Sequence, residues 1–409
     1  MESPQTNTHH FDATQQEVIE FTGGQALVLA APGCGKTHIL TQRIVRANQV
    51  EGIPYKDMLC LTFTNRAARS MCARIEAELG NIPKELFVGN LHRFCIRFLF
   101  ENNLLQLHVS IINVFDQEEI IRHLAAPQGQ EQADEQQLRA WAIKKVTDAT
   151  AHLFEQEAKF PADLHLHKHF DPQFVHLARA YRDYKAEHGL MDFDDILLTT
   201  YQHLSNQKEE SFAMSRYPWI QVDEVQDLNP LQLAIVDIIA APGGTVVYLG
   251  DERQAIYSFM GTSQQSVVKI GSNCENNVFH LANNYRSPKY LLDMLNDYAQ
   301  YVLQVPQSQL PTAYNALHID DGLTLVRCDD PTSRDHQADV LAMMARQIYL
   351  QSTTDSIGIL VRTNQQADEI SHILSAHHLS HLSITRKDAF KGVDFKTLMA
   401  HFSLVINDT

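Results

Sequence analysis

The 409 residues, 44% apolar and 20% charged, compose a soluble globular protein of roughly two to three domains. No apolar run is long enough for a membrane span, the polar start Met1-Glu2-Ser3-Pro4 has no signal-peptide core, and the cysteines at 34, 60, 72, 95, 274 and 328 form no C-x-x-C pair. These features exclude a membrane protein, a zinc ribbon and an iron–sulfur centre, and they point to a cytoplasmic chain with reduced thiols. The net charge of −16 argues against a general polyanion binder. Residues 1 to 100 are nevertheless near balance, with ten basic and nine acidic side chains. A nucleic-acid groove needs only local basic and aromatic groups.

In chain order, Phe11-Asp12-Ala13-Thr14-Gln15-Gln16 reads as a helix start with Asp12 or Thr14 as cap and Val18, Ile19 and Phe21 inward. Ala26 to Leu29 is an apolar strand, and Ala30-Ala31-Pro32-Gly33-Cys34-Gly35-Lys36-Thr37 turns it into a helix. Such a glycine-bearing strand-to-helix turn aims several backbone N–H groups and the positive end of a helix dipole at one point, which suits polyphosphate. Lys36 would reach the β- and γ-phosphates and Thr37 would hold Mg²⁺; Ala30 replaces the first glycine of the usual signature. Two further strand–turn–helix units follow. The first runs through Met58 to Thr64 and Arg66 to Leu79, and the second enters at Val88 to Phe94. They leave Phe63 and His92 at the edge where an open parallel sheet binds ligands, Phe63 as either core or stacking platform.

From about 110 to 205 the pattern is helix after helix, with five glutamines in 128–137 marking an exposed loop. His165, His167 and His169 alternate, which can place three imidazoles on one side of an extended segment; metal binding is one reading, and without nearby cysteine or carboxylate spacing a solvated loop is the favoured one. Asp192, Asp194 and Asp195 are either a cation site or a helix cap with acids on the dipole. A strand then ends at Asp223-Glu224, where the first acid would hold Mg²⁺ and the second would orient and deprotonate the attacking water. Thr245 to Leu249 opens into Gly250-Asp251-Glu252-Arg253-Gln254-Ala255-Ile256-Tyr257-Ser258-Phe259, in which Gln254 is placed to read a γ-phosphate. Tyr257 and Phe259 face either a ligand or the core. Val278 to Leu281 leads to Asn284-Tyr285-Arg286-Ser287, with Arg286 a candidate for charge stabilisation of phosphoryl transfer or a surface ion pair. Strands over Leu323–Val326 and Ile357–Val361 and helices over Asp335–Tyr349 and Gln365–Ala376 suggest a second α/β unit.

Taken in order, Gln15, A-x-x-G-x-G-K-T, T-F-T-N-R-A-A, L-H-R-F, D-E-V-Q-D, G-D-E-R-Q-A-I-Y and N-Y-R-S resemble the motifs of the UvrD/Rep/PcrA group of superfamily 1 DNA helicases. The resemblance implies an α/β fold: a RecA-like P-loop parallel sheet (domain 1A, residues 1–108 and 208–280) with a helical insertion (1B, 109–207). A partial second RecA-like domain (2A, 281–386) and the start of a 2B-like segment (387–409) would follow. It also implies an ATPase that moves 3′ to 5′ on single-stranded DNA and acts at DNA junctions, with ATP and Mg²⁺ as cofactors. Gln15 would contact adenine and Tyr285 would stack on it. Gly33, Cys34, Gly35, Lys36, Thr37 and His38 would surround the phosphates, with Thr37 and Asp223 on the metal. Glu224 would act on the water, Gln254 on the γ-phosphate and Arg286 as its sensor. Phe63, Asn65, His92, Tyr257, Phe259, Arg362 and Asn364 fall on positions that touch the DNA strand.

The sequence departs from the family pattern at His38, where arginine is usual, and at Phe259-Met260, where Trp-Arg is usual. Residues 390–408 resemble the opening of the 2B domain, and the family's late motifs are absent from the 409 residues. Two readings remain open. One is a helicase or translocase of which this is the N-terminal portion. The other is a nucleotide-dependent DNA-binding or switch subunit that needs a protein partner to complete its motor.

Overall fold

Short apolar runs punctuated by capping residues produce a repeated strand–turn–helix chain. The computed structural model describes residues 11–105, 109–125, 140–166, 171–206, 216–254, 264–274, 276–314, 334–351 and 356–383. Helix α1 (Ala13–Glu20) starts at Asp12, whose carboxylate accepts the Gln15 amide while the Gln15 side chain accepts that of Asp12. Strand β1 (Gly24–Ala30) then gives way to α2 (Lys36–Gln49). The unit repeats as β2 (Met58–Thr62) with α3 (Asn65–Leu79), capped by Thr64, and as β3 (Phe87–Asn90) with α4 (Leu91–Glu101), capped by Asn90.

A helical layer follows. In order it contains β4 (Ser110–Ile111), α5 (Val114–Ala125), α6 (Ala140–Glu157), α7 (Val175–Glu187), β5 (Leu190–Met191) and α8 (Phe193–Asn206), with β4 and β5 paired. Its own small core joins Ile121, Val146, Ala149, Ala178 and Tyr181. The acid cluster at 192–195 resolves here as a helix cap with an internal counter-ion. Asp192 Oδ1 accepts the Asp195 amide, and the buried Lys185 ammonium donates to Asp192 and Asp195 at 2.6 Å each.

The chain then returns to the sheet through β6 (Tyr217–Val222), α9 (Pro230–Ile239), β7 (Ala240–Gly250), α10 (Gln264–Asn273) and β8 (Val278–Leu281). After it come β9 (Asn283–Asn284), α11 (Lys289–Tyr301) and β10 (Thr312–Ala313), β10 lying parallel to β9. The six-stranded sheet has the order β3-β2-β6-β7-β1-β8, with every neighbouring pair parallel. Side chains alternate between its two faces. Leu27, Leu59, Leu61, Val246 and Tyr248 enter one buried cluster, whereas Ala26, Val28, Met58, Cys60, Val247 and Leu249 enter the other. Both faces are covered, the condition under which parallel sheets occur. Because all six strands run the same way, the turns that leave β1, β2, β3, β6, β7 and β8 share one edge.

The chain divides into two compact units, 1–320 and 321–409. In the second, α12 (Arg334–Gln351) packs with α13 (Asn364–Ala376), which Thr363 caps in a reciprocal pair with Gln366. The strand expected over Ile357–Val361 does not form. Residues 356–361 have no strand assignment and pair with no strand among the described residues, and Leu360 is 98% exposed. The strand expected over Leu323–Val326 lies outside the described residues.

Candidate nucleotide site

The turn between β1 and α2 takes its shape from two glycines. Gly33 and Gly35 have φ of 88° and 86°, the left-handed region that side chains disfavour, and Gly35 is the N-cap of α2. Space is also short. A Cβ on Gly33 would stand 2.8 Å from both Arg286 Cβ and Asn284 Oδ1, and one on Gly35 would stand 2.9 Å from Gln15 Nε2. The Lys36 ammonium donates to Ala30 O at 3.0 Å, folded over the loop it is placed to serve. Cys34 is fully buried, and burial raises its thiol to about 11, so it is a neutral filler of the loop.

Two segments hold this loop from outside. Gln15 Nε2 donates to Cys34 O at 3.2 Å, and Phe11 stacks on His38 with ring centroids 4.8 Å apart. From the far side of β1, Asn284 Nδ2 donates to Pro32 O at 2.7 Å and the Tyr285 amide donates to Gly33 O at 2.9 Å. Asp12 joins the two segments, because its Oδ2 accepts the Tyr285 hydroxyl at 3.0 Å and Asn283 Nδ2 at 2.8 Å. Asp12 and Asn284 were therefore missed as positioning residues: one reads locally as a helix cap, the other as a turn asparagine. For Gly33→Ala we expect a lower melting temperature, by a destabilisation of about 1–3 kcal/mol, and weaker nucleotide binding, measured by thermal denaturation with and without nucleotide. An unchanged melting temperature would show that the Asn284–Pro32 contact yields freely.

The acids leave β6, which β7 separates from the strand carrying the loop. Asp223 is buried, and burial followed by the charge of Glu224 raises its carboxyl to about 6, opposed by Lys36. Lys36 and Asp223 thus sense each other, and a buried carboxylate beside a phosphate loop fits a hard divalent cation. Thr37 and Asp223 are the residues that could hold it. Glu224 has φ 54° and ψ 46°, a left-handed conformation that is costly for a non-glycine residue and that turns its side chain away from the strand. Its Oε2 accepts Gln226 Nε2 at 2.7 Å. Gln226 Oε1 in turn accepts the Asp251 amide at 3.1 Å, and Asp251 accepts Gln254 Nε2 at 3.0 Å and Arg253 Nε at 2.9 Å. A chain of hydrogen bonds therefore runs from the end of β6 to the end of β7. Gly250 leaves it room, since a Cβ there would lie 2.4 Å from Gln226 Oε1.

The raised Asp223 carboxyl carries a pH prediction. Its folded value lies above the unfolded one of about 3.9, so the ion-free fold gains stability as pH falls from 7 through 6 toward 4. The same proton competes with Mg²⁺. We expect Mg²⁺ affinity to fall roughly tenfold per pH unit below 6. Calorimetric titration of Asp223→Asn alongside should show weak binding without that slope.

Along the same edge, Phe63 is half-buried against the core and Asn65 Oδ1 accepts Asn90 Nδ2 at 3.2 Å. His92 sits edge-on to Phe193 of α8 with centroids 5.3 Å apart, and burial lowers its pKa, so the ring is neutral. Arg286 is exposed, and Tyr285 lies 4.7 Å from Tyr314. Tyr257 and Phe259 lie outside the described residues. Arg362, exposed, and Asn364, the first residue of α13, belong to the second unit.

Comparison with known proteins matches the UvrD/REP helicase N-terminal domain to residues 11–275 and the UvrD-like helicase C-terminal domain to residues 279–409. Among curated proteins, the ATP-dependent DNA helicase PcrA of Staphylococcus aureus is 24% identical over 408 residues, 98% of this chain and 54% of the relative. PcrA of Staphylococcus epidermidis is 24% identical over 407 residues, 97% of this chain and 54% of that protein. The chain thus spans about half the length of the curated relatives it matches.

Proposed function

Since the chain belongs to the UvrD/REP helicase family, we propose that it binds and hydrolyses ATP with Mg²⁺ at the β1–α2 loop and couples the turnover to 3′-to-5′ movement on single-stranded DNA. One observation carries this reading. The phosphate loop is tied by hydrogen bonds to the Gln15 and Asn284–Tyr285 segments, and the acid pair stands at the same sheet edge beside Lys36.

In this reading Gln15 and Tyr285 flank the adenine, and the loop amides with Lys36 hold the phosphates. Bound Mg²⁺, on Thr37 and Asp223, supplies neutralisation of the developing phosphate charge. Glu224, fixed by Gln226, accepts a proton from the attacking water, Gln254 reads the γ-phosphate, and Arg286 stabilises the transferring group. Phe63, Asn65, His92, Tyr257 and Phe259 stack on bases or touch the strand, and Arg362 and Asn364 contact its backbone. Residues 1–108 and 208–280 form the first motor domain around the insertion 109–207. Residues 281–386 belong to a second motor domain, and 387–409 open a 2B-like segment. DNA junctions are the expected loading sites, in the cytoplasm.

A second reading rests on Met260, which removes a cation usual next to the stacking aromatic. This would be a nucleotide-dependent DNA-binding or switch subunit that unwinds only with a protein partner. Titrating ATPase activity with and without single-stranded DNA decides between them, with Lys36→Ala as control. Strong stimulation together with strand displacement supports the motor. ATP binding without stimulated turnover supports the switch.

A further inference from the structure

Away from the nucleotide site, three side chains of metal-ligating type gather within 4.8 Å of one another. His152 and Glu155 stand one turn apart on α6, and His165 arrives from the turn after Ala162–Leu164. One donor atom from each lies within 4.8 Å of the others. Glu155 Oε2 is 3.9 Å from His152 Nδ1 and 3.5 Å from His165 Nδ1. Donors placed tetrahedrally at about 2.0–2.1 Å from an ion stand roughly 3.3–3.4 Å apart, so small side-chain shifts close the set. We propose that His152, Glu155 and His165 bind a borderline transition-metal ion, Zn²⁺ above all, which clamps the 160–166 turn to α6.

The contacts around the three donors already aim them. Glu155 is fully buried, and its Oε1 accepts the Leu166 amide at 2.6 Å, which leaves Oε2 facing the two imidazoles. His165 Nε2 lies 3.4 Å from Phe160 O. A proton on Nε2 donated to that carbonyl turns the Nδ1 lone pair toward Glu155, the arrangement that orients ligating histidines. The two rings stand nearly perpendicular, 81° apart, with centroids 5.5 Å apart, so their lone pairs converge without stacking.

The donor types favour an ion as well, since a divalent cation can take one lone pair from each imidazole and one from the buried carboxylate. Two imidazoles and one carboxylate suit Zn²⁺ rather than Mg²⁺, which prefers an all-oxygen shell. Beside it, Phe160, Leu164 and Leu166 are buried in the main apolar cluster, so an ion would hold the turn that carries them against α6. The sequence showed only alternating histidines at 165, 167 and 169, read as a solvated loop, and the inward turn of His165 places it otherwise.

The test uses Co²⁺ as probe on the chelator-treated full chain, with excess Mg²⁺ present to fill the hard-cation site. We expect one Co²⁺ per chain, visible absorption of a low-coordinate ion that Zn²⁺ abolishes, and a higher melting temperature with Zn²⁺. His165→Ala, in a turn, should weaken Co²⁺ binding by more than about tenfold with an unchanged circular-dichroism spectrum, and Glu155→Gln should do the same. His188→Ala, which removes an exposed imidazole of the same helical layer, should leave it intact. Absence of saturable Co²⁺ absorption by the unmodified chain overturns the proposal, as does unchanged affinity in His165→Ala or an equal loss in His188→Ala.

Discussion

Glu224→Gln should bind ATP as tightly as the unmodified chain and hydrolyse it about 10²- to 10⁴-fold more slowly, the usual contribution of a positioned general base. The substitution keeps the side-chain shape and the contact with Gln226, because an amide oxygen still accepts the 2.7 Å hydrogen bond. The left-handed backbone that aims residue 224 is equally open to glutamine. Only the ability to take a proton from water is lost. Binding of a fluorescent ATP analogue and release of phosphate, measured side by side, separate the two effects. Normal turnover would remove Glu224 from the role of base, and lost binding would make it a structural residue of the loop.

Lys36→Ala should abolish productive ATP binding and lower any residual turnover by at least about 100-fold, the scale of losing one charged donor to a developing anion. The fold should survive, because the ammonium contributes a single 3.0 Å hydrogen bond to Ala30 O and fills no core position. The Lys36 charge also holds the Asp223 carboxyl down, so its removal should raise that carboxyl further and weaken Mg²⁺ binding. Equilibrium binding of ATP with and without Mg²⁺ checks both consequences. Retained affinity with Mg²⁺ present would mean that the loop amides suffice.

The sheet was legible because local signals coincide with its elements. Apolar runs at 26–29, 58–64 and 245–249 hold strands, the second ending at Thr62, and Asp12 caps the first helix as its sequence suggests. The glycine-lysine-threonine turn and the Asp223-Glu224 pair were legible too, since chemistry of that kind is written in adjacent residues. What escaped depends on strand order. Gln226 and Asp251 lie inside recognised motifs, yet their link exists only because β6 pairs with β7 in the register Val222 to Tyr248. Asp12 escaped likewise: its second oxygen serves residues 271 and 273 positions away. The run Ile357–Val361 shows the opposite error, for β-rich composition alone does not make a strand, and among the described residues no neighbour pairs with it.

The hydrogen bonds from Asn284 and Tyr285 to the phosphate loop have a mechanical consequence. Asn283–Asn284 also pairs with Thr312–Ala313, and the Tyr314 amide donates to Asn284 O at 2.9 Å. Any repositioning of Pro32 and Gly33 by a bound polyphosphate must pull on β9, and β9 must pull on β10. The loop is thereby tied to residues 283–314 of the same unit, so a shift at Pro32 and Gly33 is shared with β9 and β10.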